Sequence, residues 1–114
     1  MNSNMIALKG SHSDWNSQSP KEMQETLEKY FEWVDGLKKA KIFEYGQPLK
    51  SVSKTITKSE NNIEIVDGPY AESKEALTGF FIIKSESMEA ACRIASECPA
   101  LFHGESIDVI EVGH

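Results

Sequence analysis

The chain has 114 residues, of which 39% are hydrophobic and 26% are charged, and its formal net charge at pH 7 is −6. This length and composition predict one domain, residues 1–114, with a core that needs no disulfide or metal staple. The negative charge argues against nucleic acid and anionic membrane surfaces as partners, because both require clustered positive side chains. No apolar run approaches the roughly 20 residues that span a bilayer.

The N-terminus and the cysteines predict a cytoplasmic location. The apolar stretch within Met1–Leu8 is too short for a secretory signal. Cys92 and Cys98 are six residues apart in a predicted helix, which places them on different faces and disfavours a disulfide. The CxxC spacing of a redox pair is absent. We therefore expect reduced core thiols.

A strand and a long helix are predicted first. Met5–Lys9 is a short strand, and a polar loop follows it. Ser19, Pro20 and Glu22 give the capping-box signal of a helix that extends to about Lys39. Its apolar face has residues at steps of three and four: Met23, Leu27, Tyr30, Phe31, Val34 and Leu37.

Three further strand patterns follow the helix. Ile42–Tyr45 predicts a short strand that ends in a turn at Gly46–Pro48. Ser51–Lys58 and Ile63–Val66 alternate and are rich in β-branched residues. The turn Ser59–Asn62 between them predicts a hairpin in which the two asparagines tolerate positive φ.

The last third predicts a strand, a helix and a strand. Gly79–Ile83 is apolar on both alternating faces, which is typical of a strand covered on both sides. Ser87 caps a second helix that ends near Pro99, and Ile107–Val112 is the last strand. The residues of the helix predicted to face inward are Met88, Ala91, Cys92, Ile94 and Ala95.

This order of elements predicts an α+β fold, a ferredoxin-like layer with two helices on one face of an antiparallel sheet. No remaining element can cover the other face of Gly79–Ile83. We therefore expect a homodimer in which two sheets pack face to face around a two-fold axis. The alternative is a monomer with a partly apolar open face, and exposed patches of that size are uncommon.

The segment Asp67–Glu75 combines a turn signal with four charged side chains. Gly68 and Pro69 favour a turn, and the Asp67 carboxylate can accept hydrogen bonds from amides just downstream. Asp67 is therefore a turn-former, or else it ends a buried strand beside a cavity and acts as general acid or base.

The charges that follow Asp67 also allow two interpretations. Glu72, Lys74 and Glu75 form a solvated surface, or they hold a polar ligand or tie the loop across a dimer interface. At Thr78-Gly79 the small glycine lets the backbone approach another group closely, either at a β-bulge or against a bound group.

Of the three histidines, His12 is the candidate for chemistry. It follows the first predicted strand, and it is either solvated or paired with Asp67 in an acid/base dyad. His103 is expected to be structural, and His114 is terminal. HExxH, CxxC, GxGxxG, the P-loop and the GxSxG elbow are all absent, so no metal or cofactor is predicted.

Several segments resemble, in chain order, those of one family: Trp15–Pro20, Gly46–Leu49, Asp67–Glu75, Gly79–Ile83, Cys98–Ala100 and Gly104–Val109. Asp67–Glu75 is similar to the signature DGPFAExKE, with Tyr70 in place of Phe. Over nearly its whole length the chain resembles the YCII-related, DGPF-motif family.

The resemblance implies a dimeric α/β-barrel, in which the ferredoxin-like layer is doubled. Relatives in that superfamily include muconolactone isomerases and small monooxygenases, which bind substrate between sheet and helices without a metal or organic cofactor. A His–Asp pair is suspected in the YCII branch, and Asp67 matches its carboxylate. DGPF proteins are often encoded beside extracytoplasmic-function sigma factors, which implies regulation.

Two functions follow as hypotheses. The first is a cofactor-independent enzyme for proton transfer or lyase-type chemistry on a small molecule, with Asp67 and His12 as catalytic residues. The second is a non-catalytic ligand-binding or regulatory module, linked for example to sigma-factor signalling. The residues predicted to bind ligand or form an interface are Tyr70, Glu72, Lys74, Glu75 and Gly79.

Overall fold

The computed structural model describes residues 1–11, 17–67 and 76–113. The strands in these ranges are β1 (Asn2–Gly10), β2 (Phe43–Pro48), β3 (Lys54–Ser59), β4 (Asn62–Asp67), β5 (Ala76–Ser85) and β6 (Ser106–Glu111). The helices are α1 (Pro20–Lys39), α2 (Met88–Ala95) and a short 3-10 helix, Pro99–His103. The predicted α+β class, with two helices on an antiparallel sheet, is confirmed.

The main sheet has the strand order β2-β5-β1-β6, with antiparallel neighbours throughout. This is the order of a ferredoxin-like layer, with β3 and β4 inserted between β2 and β5. The predicted hairpin forms, and within the described ranges β3 and β4 pair only with each other. We call Lys54–Asp67 the arm. Its turn has Glu60, rather than an asparagine, at a positive φ of 55°.

Helix α1 begins where its capping box predicts. The Glu22 amide donates to Ser19 Oγ at 3.1 Å, and the Ser19 amide donates to Glu22 Oε1 at 3.4 Å. The face that packs inward contains Thr26, Tyr30, Trp33 and Leu37, at helical spacing. The prediction was wrong for Leu27 and Phe31, which are 40% and 67% exposed.

The core lies between the helices and one face of the sheet. Ile6 and Leu8 of β1 and Ile83 of β5 point into it. Ala91 and Ala95 lie on the buried side of α2, and their small side chains let that helix approach the sheet closely. The core is completed by Leu37, Cys98 and Ala100.

Three predictions about local structure are corrected. Strand β1 is longer than expected, because it pairs with β5 on one side and β6 on the other. Gly46–Pro48 continues β2 instead of forming a turn, since Gly46 pairs with Phe81 and the proline lies on an edge strand. Cys92 and Met88 are exposed, so of the two free thiols only Cys98 is in the core.

The second face of the main sheet is only partly covered within the described chain. The apolar side chains on this open face include Met5, Ala7, Tyr45, Phe80, Ile82 and Ile110, as the strand registers show. Tyr45 is 52% exposed and its ring lies 5.9 Å from that of Phe80. No helix of the described ranges has the length and apolar character needed to cross a membrane.

Candidate functional site

Asp67 is the last residue of β4, and its side chain is 87% exposed. Its Oδ1 atom accepts a hydrogen bond from Lys54 Nζ at 2.5 Å, across the base of the arm. The expectation that a buried strand precedes Asp67 is wrong, because β4 is exposed along its length and, among the described strands, pairs with β3 alone. The catalytic role of Asp67 stays a prediction.

The other predicted site residues, apart from Gly79, lie outside the described residues: His12, Tyr70, Glu72, Lys74 and Glu75. The strands beside them are described. Gly10, the last residue of β1, pairs with Ala76, the first residue of β5. In the sequence, His12 follows Gly10 by two positions and Glu75 directly precedes Ala76. In chain order, both predicted segments are therefore next to strand ends that pair with each other.

A β-bulge shapes this end of the sheet. Leu8 pairs with Gly79 and Lys9 pairs with Leu77, so Thr78 is an additional residue in β5. A bulge changes the direction of a side chain relative to the regular ladder. The alternative of a bulge at Thr78-Gly79 is thus confirmed, and a role of Gly79 in ligand binding stays a prediction.

The bulge brings the Thr78 hydroxyl against the carboxyl group of Glu105, which directly precedes β6. Thr78 Oγ1 and Glu105 Oε1 form a short hydrogen bond, and Thr78 Oγ1 also lies 3.4 Å from the carbonyl oxygen of Leu8. Glu105 passes directly over Gly10, where an added Cβ would lie 2.5 Å from Glu105 Cγ. Gly10 therefore provides the space that the glutamate occupies.

Two further titratable groups lie near Glu105. Burial raises the pKa of the Tyr30 hydroxyl strongly, and the neighbouring Cys98 and Glu105 raise it further. Burial also raises the pKa of the Cys98 thiol to about 11; a hydrogen bond with the Ala100 backbone lowers it, and Glu105 raises it. Both groups are neutral at pH 7. We call Gly10, Tyr30, Thr78, Cys98 and Glu105 the sheet-end site.

Thr78 Oγ1 thus lies within hydrogen-bonding reach of two acceptors, Glu105 Oε1 and the Leu8 carbonyl oxygen. The hydroxyl has one proton to donate, so it can bond only one of these acceptors at a time. A carboxyl group held in place by a hydroxyl has the geometry of a candidate general acid or base.

The raised thiol pKa predicts a loss of stability at alkaline pH. The free energy of unfolding keeps its full value below about pH 9, where the Cys98 thiol is neutral in the folded and the unfolded chain. It falls as the pH rises to about 11, because the thiol then ionises in the unfolded chain but stays neutral in the folded one. We expect this to lower the free energy of unfolding by about 2 kcal/mol at pH 11. Urea titrations between pH 8 and 11 measure it.

Two alanine variants serve as controls for the alkaline loss. Cys98→Ala should reduce the pH dependence, whereas Cys92→Ala, which removes an exposed thiol, should leave it unchanged. An equal dependence in wild type and Cys98→Ala would contradict the prediction.

Glu105 and the Thr78 hydroxyl were not predicted as site residues. The available signal was a charged residue between Gly104 and an apolar strand. Gly104 has a φ of 82°, and this left-handed conformation ends the 3-10 helix and sets the start of β6. Among the described residues, no group of three or more His, Cys, Asp or Glu side chains could hold a metal ion.

No curated protein matches the sequence. The family model of the YCII-related domain matches residues 7–112, which is nearly the whole chain and includes every described residue of the sheet-end site. Together with the ferredoxin-like order of its strands, this match shows that the chain belongs to the YCII-related domain family.

Proposed function

We propose that this YCII-related protein binds a small polar molecule at the sheet-end site and performs cofactor-independent proton transfer on it. The observation that supports this best is the Thr78–Glu105 hydrogen bond above Gly10. It holds a partly buried carboxyl group in a defined position beside a hydroxyl, as suits a candidate general acid or base.

Aromatic side chains adjoin Tyr30, whose hydroxyl pKa Glu105 helps to raise. The Tyr30 and Phe81 rings stack with their centroids 6.3 Å apart. Trp33 lies edge-on to the same Phe81 ring at 5.1 Å. We propose that this aromatic group forms the apolar side of the ligand site, because small-molecule sites commonly combine apolar walls with a few converging polar groups.

The residues predicted from the sequence enter this proposal through their chain position. His12 follows the end of β1, and Glu72, Lys74 and Glu75 precede the start of β5. We propose that these four side chains help to bind or protonate the ligand, together with Tyr70 and Gly79. Asp67 would act as the base, or it would orient His12 in the acid/base dyad.

We also propose that the protein is a cytoplasmic homodimer. Its open face has apolar side chains that the described chain leaves partly exposed, among them Tyr45 and Ile110. Two such faces packed against each other would remove them from water, which gives association its main driving force.

The alternative is a ligand-binding or regulatory module without turnover. The ion pair between Asp67 and Lys54 favours it, because an exposed carboxylate bound to an ammonium at the base of the arm fits a structural role. In that case Asp67→Asn should change ligand binding little, because asparagine can still accept the hydrogen bonds of the turn.

The proposed site is tested by two substitutions, Glu105→Gln and Gly10→Ala. Small lactones, phenols and 2-oxo acids would be screened by thermal shift, and deuterium exchange of acidic C–H groups in stabilising compounds would be followed by NMR. Gly10→Ala should weaken binding on the order of tenfold or more, because the added methyl group displaces Glu105. Glu105→Gln should slow exchange 100-fold or more, within the roughly 10²–10⁴-fold that general acid–base catalysis supplies.

Gly36→Ala is the matched control for the glycine substitution. A Cβ at Gly36 would have no neighbour within 4 Å among the described residues, so this variant should bind and exchange as the wild type does. Exchange at the wild-type rate in Glu105→Gln would overturn the catalytic assignment. Undiminished binding by Gly10→Ala would place the ligand elsewhere.

A further inference from the structure

The arm has one apolar and one polar face. Residues paired across an antiparallel ribbon share a face, and Ile56 pairs with Ile65 while Lys58 pairs with Ile63. The first face thus contains three isoleucines, with the Lys54–Asp67 ion pair at its base. The second face contains Thr55, Thr57, Ser59, Asn62, Glu64 and Val66.

The three isoleucines remain exposed in the described chain. Ile56 and Ile63 are each 65% exposed, and Ile65 is 60% exposed. Apolar residues that alternate with polar ones along a strand are typical of a ribbon packed on one side. The described chain provides no layer on that side of the arm.

The arm is not expected to be stable without a packing partner. An isolated two-stranded hairpin is at best marginally stable in water, and it gains stability by packing its apolar face. The radius of gyration is 16.0 Å, whereas a compact domain of this length has about 13 Å. The chain is thus more extended than a compact monomer of its size.

We propose that the isoleucine face of the arm packs against a second copy of this chain, as part of the dimer interface. This inference rests on the homodimer proposed above. A second copy is present whenever the chain is present, so it can stabilise the arm constitutively, as a marginal hairpin requires.

The position of the arm supports this occupant. The arm connects β2, an edge strand of the main sheet, to its neighbour β5. Tyr45 of β2 and Phe80 of β5 belong to the open face, so the arm is attached at the border of the surface that the dimer would bury. The proposal therefore treats the arm and the open face as parts of one interface.

The size of the interface also supports a second copy as the partner of the arm. With strands about 4.8 Å apart and about 3.3 Å per residue, six paired residues in four strands cover roughly 400 Å², and the arm adds roughly 200 Å². A stable interface buries about 800 Å² of accessible surface per partner. The arm would enlarge the buried face by about half, toward that size.

Two neighbouring substitutions in β4 separate the two faces of the arm. Ile65→Ser and Val66→Ser each replace a β-branched residue by serine, at side chains that are 60% and 53% exposed in the single chain. They point to opposite faces. The dimer dissociation constant of each variant would be measured by sedimentation velocity over a range of protein concentrations, with circular dichroism to verify folding.

The expected result is selective. Ile65→Ser should raise the dissociation constant on the order of 100-fold, because a two-fold dimer loses the contact twice. Val66→Ser should change it less than about threefold, within the small effects usual for surface substitutions. Equal constants for wild type and Ile65→Ser would overturn the role of the arm and leave the homodimer standing. A monomeric wild type at all concentrations would overturn both, while the proposed ligand site would remain.

Discussion

Ile83→Ala is expected to lower the free energy of unfolding by about 4 kcal/mol. Ile83 is fully buried in β5, a strand with neighbours on both sides, and it packs in the core beneath the helices. Removing a buried isoleucine to alanine costs about 2–5 kcal/mol, from lost transfer free energy and the cavity that remains. The position at the centre of the core places this variant in the upper part of that range. Urea denaturation measures the change.

Ile82→Ala is the matched control for this substitution. Ile82 is adjacent in β5 but points to the open face, where it is only partly buried in the single chain. The cost of Ile83→Ala should not depend on protein concentration. In a homodimer, the cost of Ile82→Ala should increase with concentration, because association buries its side chain. A concentration-dependent cost at Ile83 would contradict the one-sided core described above.

The elements that the sequence predicts well are those with local causes. Helix α1 begins at Pro20 because Ser19 and Glu22 satisfy its first amides, and these three residues are close in the chain. Similarly, Ser87 caps α2 by accepting from the Ala90 amide at 3.1 Å. Such signals do not depend on the rest of the fold, so they could be recognised without it.

The errors occur where distant segments decide the outcome. Gly46–Pro48 has turn-forming residues, but pairing with β5 extends it as an edge strand. Phe31 fits the apolar spacing of α1, yet the sheet contacts the side of the helix that contains Trp33 and Leu37. For the arm, alternation predicts the two strands correctly, but no pattern says whether the same chain or another one covers their isoleucine face.

The candidate site was only partly predictable for the same reason. Gly10, Thr78 and Glu105 come from three segments that are far apart in the chain, and they meet because β1 pairs with both β5 and β6. The bulge that directs Thr78 toward Glu105 is a property of strand register, which a single sequence does not specify. The flanking positions of His12 and Glu75 could be predicted, because chain order alone connects them to β1 and β5.

Gly46→Ala is expected to lower the free energy of unfolding by about 3 kcal/mol, as overpacking of a fixed core does. A Cβ at this position would overlap the Phe81 ring and lie 3.0 Å from the Phe80 carbonyl oxygen. Neither neighbour can yield easily, because β2 and β5 pair here and Trp33 packs edge-on against the Phe81 ring at 5.1 Å. Thermal and urea denaturation measure the loss.

Gly36→Ala makes the same chemical change, but it is expected to raise the free energy of unfolding. Gly36 is exposed within α1, and a Cβ there has no described neighbour within 4 Å, so alanine should stabilise the chain by about 0.5–1 kcal/mol through its higher helix propensity. A loss below about 1 kcal/mol in Gly46→Ala would show that Phe81 can move.

Phe81 packs on Tyr30, so a Gly46→Ala chain that does fold should also bind ligand more weakly at the sheet-end site. The substitution thus tests whether the aromatic group positions that site as well as stabilising the core.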